Sequence, residues 1–287
     1  MRKQEIILNN INSFEPKHIF ECGQCFRWDE NIDKSYTGVI GKSVLNVKKQ
    51  EKDIIINGIS NEDLEKIVNR YFDLNRDYKE IKFKLSKIDR DLAQSIKYGE
   101  GIRILNQDLW ETIISFIISA NNNIPRIKGI IKRICEKYGE KIVWNGKEYF
   151  SFPTPEELSK ASVEDLRKLG LGFRDIRVYE TTQIINSNKI DLNKLKNEKT
   201  DMVRETLLTL PGVGPKVADC ILLFSELKRL EVFPIDVWVR RVMNELYIKM
   251  EDEAKVNKNE VLKLAKEKYG DLAGIAQQYL FYWKREA

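Results

Sequence analysis

The spacing of apolar positions changes character near Gly58. Before it, Phe26 to Trp28, Tyr36 to Ile40, Val44 to Lys48 and Asp53 to Ile56 are short, β-rich runs separated by polar turns, the pattern of an antiparallel sheet. After it the period becomes helical. Leu64, Ile67, Val68, Tyr71 and Phe72 fall three and four residues apart behind Ser60-Asn61-Glu62-Asp63, which supplies an N-cap. Thr154-Pro155-Glu156-Glu157 is a capping box with proline at the first helical position, and Ser162 to Asp165 opens another helix that Gly170 stops. The pattern predicts an α+β chain: an antiparallel sheet lobe over residues 1–98 and a mainly helical region over 99–287. The cleft between them is the default site.

Length and composition narrow the class. The chain has 287 residues, 42% hydrophobic and 32% charged, enough for a substantial core in two or three packed lobes and unlike a disordered protein. A balance of 49 basic and 44 acidic residues, net +5, leaves room for a basic face without demanding one. The N-terminal apolar run is too short for a signal peptide and no later run reaches membrane-span length, so a cytosolic protein without membrane contact is expected. Cys22, Cys25, Cys135 and Cys220 should then be free thiols. Cys22-x-x-Cys25 lacks the second half of a zinc site, His18 is the sole histidine, and no cysteine follows Cys220. No metal, iron-sulfur cluster or required cofactor is expected on that ligand count.

The densest chemical signal lies between residues 202 and 226. Val203, Leu207 and Leu210 share one helical face, with Thr200 or Asp201 as N-cap, and the chain then turns at Pro211-Gly212-Val213-Gly214 before a second helix starts near Pro215. Gly212 and Gly214 permit a sharp turn and bare outward amides, a phosphate cradle at a helix N-terminus. This is the helix-hairpin-helix pattern of DNA-backbone binding. Lys216, just beyond it, reads either as a phosphate contact or as a nucleophile. Phe233-Pro234-Ile235-Asp236 then opens a further amphipathic helix, with Asp236 as N-cap. A lysine needs desolvation or nearby cations to supply a neutral amine at pH 7, and a carboxylate beside it stabilises positive charge developing on a sugar.

A hairpin lysine followed by such an aspartate resembles the helix-hairpin-helix glycosylase superfamily. Separated segments narrow the resemblance to 8-oxoguanine DNA glycosylase/AP lyases of the eukaryotic type. They are Gly23-Gln24-Cys25-Phe26-Arg27-Trp28, Ser119-Ala120-Asn121-Asn122-Asn123-Ile124-Pro125-Arg126, Leu169-Gly170-Leu171-Gly172-Phe173-Arg174, Val217-Ala218-Asp219-Cys220 and Ala276-Gln277-Gln278-Tyr279-Leu280-Phe281. The resemblance implies double-stranded DNA containing 8-oxoguanine as substrate and monomeric action. It implies attack by Lys216 on C1′, a Schiff base, and strand cleavage by β-elimination, with Asp236 supporting the charge. The Gly23 carbonyl would accept the N7 hydrogen that distinguishes 8-oxoguanine from guanine. Gln277 would read the Watson-Crick edge, and Phe281 and Cys220 would cover the two faces of the base. Asn121 would plug the duplex, Phe173 would wedge it, and Arg126 and Arg174 would contact the orphaned cytosine. The carbonyls of Leu208, Leu210 and Val213 would hold a structural cation at the hairpin.

Taken singly, several of these residues have plainer readings. Phe281 reads as core, Cys220 as an inert buried thiol, Asn121 to Asn123 as a polar turn, and the arginines as generic phosphate contacts. Trp238 departs from the family pattern, where histidine is usual, whereas Arg126 is present although some bacterial relatives lack it. A preference for cytosine opposite the lesion is expected. Two rivals are a glycosylase of the same superfamily acting on another base and a non-catalytic hairpin module. Gly23, Gln277 and Phe281 argue against the first, and dependence on Lys216 separates the second.

Overall fold

The structure is a computed structural model that describes residues 1–286. Five strands, β1 (Arg2–Leu8), β2 (Trp28–Glu30), β3 (Tyr36–Ile40), β4 (Ser43–Gln50) and β5 (Asp53–Ser60), form one antiparallel sheet in the order β1-β5-β4-β3-β2. Alternation along them turns Trp28, Tyr36, Leu45, Val47, Ile54 and Ile56 into a core shared with Ile19, Phe20, Leu64, Val68 and Phe72. The sheet expected from the hydrophobic pattern is therefore present, with two differences. The expected strand at Phe26 to Trp28 runs instead from Trp28 to Glu30, and β1 was not foreseen because Arg2, Lys3 and Glu5 give its exposed edge little apolar signal.

Beyond the sheet the described chain is mainly helical. Asp63 caps the first helix after the sheet, and both capping boxes form, Thr154 with Glu157 and Ser162 with Asp165. A second hairpin of strands, β6 (Lys141–Trp144) and β7 (Lys147–Phe150), interrupts the helices. Its turn is Asn145-Gly146, both at positive φ, which matches the twist of a two-residue hairpin loop. The larger core gathers the helices around Leu109–Ser119 and Pro215–Phe224, and it also takes Ile81, Leu85, Leu92 and Ile96 from the helices that follow the sheet. All four cysteines are free and buried. No helix among the described residues is long and apolar enough to cross a membrane.

Candidate active site

The hairpin is built from helices Thr200–Leu208 and Pro215–Phe224. The first is capped by Lys199 and not by Thr200 or Asp201, which lie inside the helix, and no side chain serves that cap. Arg204 joins the two helices by bridging Asp201 at 3.0 Å and Asp219 at 2.8 Å. At the turn, Gly212 has φ +88°, and a Cβ there would stand 3.0 Å from Ile117 Cγ2 and 3.1 Å from Arg177 Cβ, so both backbone and space require glycine. Gly214 differs from the expectation. It is extended, at φ −96° and ψ 179°, and a Cβ there would meet nothing, so it keeps the approach to the helix end open and is not needed for the bend. No side chain caps the second helix. Its first-turn amides of Lys216 and Val217 therefore remain available to an anion.

Lys216 enters a small cavity lined by Cys22, Gly23, Phe116, Cys220, Phe224, Pro234, Asp236, Gln277, Gln278 and Phe281. Thus Lys216, Asp236, Gly23, Cys220, Gln277 and Phe281, which lie up to 258 positions apart in the numbering, from Gly23 to Phe281, share one enclosure. Asp236 reaches it as N-cap of helix Val237–Met243, with Val239 N donating to Oδ1 at 2.8 Å. One carboxylate oxygen is thereby fixed by the backbone. Cys220 stands one turn beyond Lys216 on the same helix face. The cavity holds about 40 Å³, room for a water and not for a purine. A base enters only if the walls move, and half-buried Phe281 is the pocket wall beside the mouth segment at Gly23, where a Cβ would lie 3.6 Å from its ring and 3.1 Å from Arg285 Nη1.

The segment around Gly23 is held by buried glutamines. Gln24 donates to the carbonyls of Ile19 and Arg103 and accepts from Leu105 N at 2.9 Å. Gln278 donates to the Cys22 carbonyl at 2.6 Å, and Gln107 donates to the Gln24 carbonyl at 2.7 Å. The carbonyls on either side of Gly23 are thus occupied, while no donor among the described residues meets the Gly23 carbonyl itself. Gly23 has φ +85°. On the opposite wall, Gln277 Oε1 is buried without a hydrogen-bond partner. A buried acceptor left open costs stability unless something donates to it, so both acceptors are poised for a ligand's N–H groups.

The charges in the pocket do not follow the simple expectation that burial yields a neutral amine. The Cys220 sulfur is the largest influence on Lys216 and holds its ammonium above the ordinary lysine value; burial opposes this and Asp236 adds to it. Burial in turn pushes the Cys220 thiol up to about 11, against the pull of Lys216. Lys216 Nζ also lies 5.6 Å from the centre of the Phe116 ring, a cation–π contact. The free site therefore stores a lysine ammonium.

The remaining expected residues form a second group outside the pocket. Asn121 takes a left-handed conformation, φ 51°, between helices Leu109–Ser119 and Ile124–Tyr138. Phe173 is 54% exposed on a short turn after Gly172. Arg126 is exposed at the start of the second of those helices. Arg174 is not free: it is 2% exposed, and its guanidinium donates to the carbonyls of Ala120 (2.6 and 2.9 Å), Asn121 (2.7 Å) and Leu171 (3.2 Å). In this state it clamps the Asn121 turn. Trp238 is 52% exposed beside Asp236, with the Arg241 guanidinium 5.7 Å from the ring centre.

Sequence reasoning missed Phe116 and Gln278. Phe116 sits in the apolar run 109–119, where nothing local separates a pocket wall from core. Gln278 had a cue, a pair of glutamines within an otherwise apolar helix, Ala273–Glu286. Among the described residues no group of histidine, cysteine, aspartate and glutamate is arranged to hold a metal.

Residues 6–113 match the family of the 8-oxoguanine DNA glycosylase N-terminal domain, and residues 114–267 match the HhH-GPD superfamily of base excision DNA repair proteins. A Saccharomyces cerevisiae N-glycosylase/DNA lyase is 35% identical over 95% of this chain and 75% of its own length. The solved complex of MBOgg1 with a low-affinity DNA ligand is 44% identical, covering 100% of this chain and 99% of that one with a TM-score of 0.93. The Clostridium acetobutylicum 8-oxoguanine glycosylase/lyase bound to duplex DNA with cytosine opposite 8-oxoG is 41% identical, covering 100% and 98%, with a TM-score of 0.92. With hairpin, lysine and aspartate in one enclosure, the chain belongs to the N-glycosylase/DNA lyase family of the HhH-GPD superfamily.

Proposed function

We propose that this protein excises 8-oxoguanine from duplex DNA, preferentially opposite cytosine, and cleaves the strand through a covalent intermediate on Lys216. The observation that carries this reading is the open, buried acceptor Gln277 Oε1 in the cavity shared by Lys216, Asp236 and Gly23. A flipped 8-oxoguanine offers donors on its Watson-Crick edge to Gln277 and the N7 hydrogen to the unpartnered Gly23 carbonyl; Phe281 and Cys220 pack on its faces. Guanine has no N7 hydrogen and would leave that carbonyl empty.

The amine of Lys216, after giving up its ammonium proton, attacks C1′ as the bond to N9 breaks and its electron pair leaves with the base. The carboxylate of Asp236 stabilises the positive charge on the sugar. Loss of the second amine proton and opening of the sugar ring give the Schiff base. Removal of a C2′ proton then expels the 3′ phosphate. Asn121 fills the space left by the base, Phe173 wedges the stack, and Arg126 and Arg174 contact the orphaned cytosine, Arg174 by exchanging an Asn121 or Ala120 carbonyl for the base. The amides beyond Gly212 and Gly214 take a phosphate, and the carbonyls of Leu208, Leu210 and Val213 would hold a structural cation that offsets phosphate charge there. In this reading a single chain acts on the duplex.

Borohydride trapping on an 8-oxoguanine:cytosine duplex tests the reading. A covalent adduct that disappears in Lys216→Gln is expected. Binding without an adduct overturns it, and equal cutting opposite all four bases overturns the cytosine preference.

A further inference from the structure

Arg177 has no part in the reaction as written, yet it stands between the two DNA-directed features. It is exposed on the first turn of helix Asp175–Asn186, and no carboxylate among the described residues pairs with it. Its guanidinium lies 5.2 Å from the centre of the Phe173 ring. Its stem fills the space beside Gly212, with Cβ and Cδ both 3.1 Å from where a Cβ on that glycine would be. One turn further along the same face, Thr181 Oγ1 donates to the Pro211 carbonyl at 3.0 Å. One helix face therefore fixes the hairpin turn to the base of the wedge.

The surroundings are electrostatically unbalanced. The Arg174 guanidinium lies 4.2 Å from the same Phe173 ring, and Arg126 Nη2 lies 3.8 Å from where a Cβ on Gly172 would be. Burial pushes Arg174 below the ordinary arginine value, the charges of Arg126 and Arg177 push it further, and no carboxylate offsets them. Two guanidiniums at one exposed aromatic ring and a third beside the preceding glycine, without acidic partners, repel one another in the free protein. A polyanion relieves that repulsion.

We infer that Arg177 takes a DNA backbone phosphate between the wedge and the hairpin, and so sets the distance between the opened base step and the phosphate held by the hairpin amides. This rests on the reading of Phe173 and the hairpin given above. A phosphate fits better than a base edge, because the arginine stem is anchored on the hairpin turn, whereas Arg174 lies toward Asn121 and Arg126 beside Gly172. It is a positioning residue, and its effect passes through the DNA backbone.

The test is the salt dependence of equilibrium binding to a duplex with a tetrahydrofuran abasic analogue opposite cytosine, which the enzyme cannot cut. Each phosphate contact contributes about 0.9 to the slope of log K against log salt. Arg177→Gln is expected to reduce the slope by about that amount and weaken binding about eightfold at 0.1 M salt. Arg177→Lys restores the slope and Arg177→Glu reduces it further. A slope unchanged in Arg177→Gln and Arg177→Glu overturns the inference, as does lost cytosine discrimination at unchanged slope, which makes Arg177 a base reader. Melting temperature controls for folding, since a purely structural role lowers it and leaves the slope intact. Trapping of the unaltered protein is run alongside. No adduct there counts against the reading of the pocket, whereas an adduct with an unchanged Arg177 slope counts only against this inference.

Discussion

Two shielded lysines flank the same helix, Pro215–Phe224, and their surroundings act on them in opposite directions. Lys216 at its start faces the cavity with Asp236 and Gln277, and its pKa is raised by Cys220 and Asp236 against burial. Lys228, just past its end, has a side chain only 10% exposed, and burial lowers it to about 7, with Arg76 and Arg103 adding to the effect and Asp73 opposing it. A search for a lysine already neutral near pH 7 would select Lys228. The geometry selects Lys216. Lys228 Nζ is occupied by the Ile104 carbonyl and by Asp73 at 3.3 Å, and it does not line the cavity that Lys216 enters. Its network ties the loops around residues 73, 104 and 228 together. A perturbed pKa thus marks burial, and a reactive site needs an enclosure that a substrate can enter.

The sharpest way to break that contrast is to remove each lysine separately. Lys216→Gln is expected to reduce the borohydride adduct to the detection limit, while Lys228→Gln, tested below its own melting temperature, continues to form it. An adduct that survives in the first and vanishes in the folded second would assign the chemistry to the wrong end of the helix.

This contrast also separates what was legible in the chain from what was not. Pro211-Gly212-Val213-Gly214-Pro215 was legible because glycine and proline restrict the backbone locally, whatever the rest of the chain does. Asp236 was legible as a cap for a similar reason, and the cap proves to be the means by which it is aimed. Asn145-Gly146 carried an equally local hairpin signal that the pattern of short strands before Gly58 overshadowed. Phe116, the Arg174 clamp and the burial of Lys228 depend on partners up to 155 positions away in the sequence, and no local spacing encodes them. The raised pKa of Lys216 belongs to this group too, since the expectation of a neutralised amine weighed burial without the neighbouring sulfur.

The next largest effect concerns the aspartate. Asp236→Asn keeps a side chain that caps a helix about as well and removes the charge. Single-turnover base excision is expected to fall about a hundred- to a thousandfold with the melting temperature nearly unchanged. Asp236→Ala loses the cap as well, costing about 1 kcal/mol of stability. If the asparagine variant keeps full activity, Asp236 serves Lys216 only as helix architecture.

On the other side of the comparison, Lys228→Met should change how stability depends on pH. A lysine whose folded value lies near 7 and whose unfolded value is ordinary takes up a proton on unfolding between those two values, so its contribution is fully present above the unfolded pKa and is lost as pH falls toward 7. Relative to the unaltered protein, the methionine variant should gain stability as pH falls from about 10 to 7, by at most ~1.4 kcal/mol per pH unit. Asp73 keeps Arg76 and Tyr78 as partners, so the substitution does not strand it. A difference in unfolding free energy that is flat across this window would mean that Lys228 stays charged in the fold.

The smallest effect tests why Lys216 is an ammonium at rest. Lys216 and Cys220 favour each other's charged forms, so they release protons as a pair. Cys220→Ser removes the largest influence that raises the lysine and leaves burial, which lowers it, against Asp236 alone. The thiol, pushed up to about 11, is uncharged near neutral pH, so the amine fraction increases only at alkaline pH, where a thiolate would otherwise hold the ammonium. The single-turnover pH–rate profile for base excision should therefore level off at lower pH with its limb near neutrality in place, and weaker packing on the base should appear separately, as a higher enzyme concentration needed for saturation. An alkaline end that stays in place would show that the proton leaving Lys216 is governed by the incoming base and Asp236, with the sulfur serving only as a wall of the pocket.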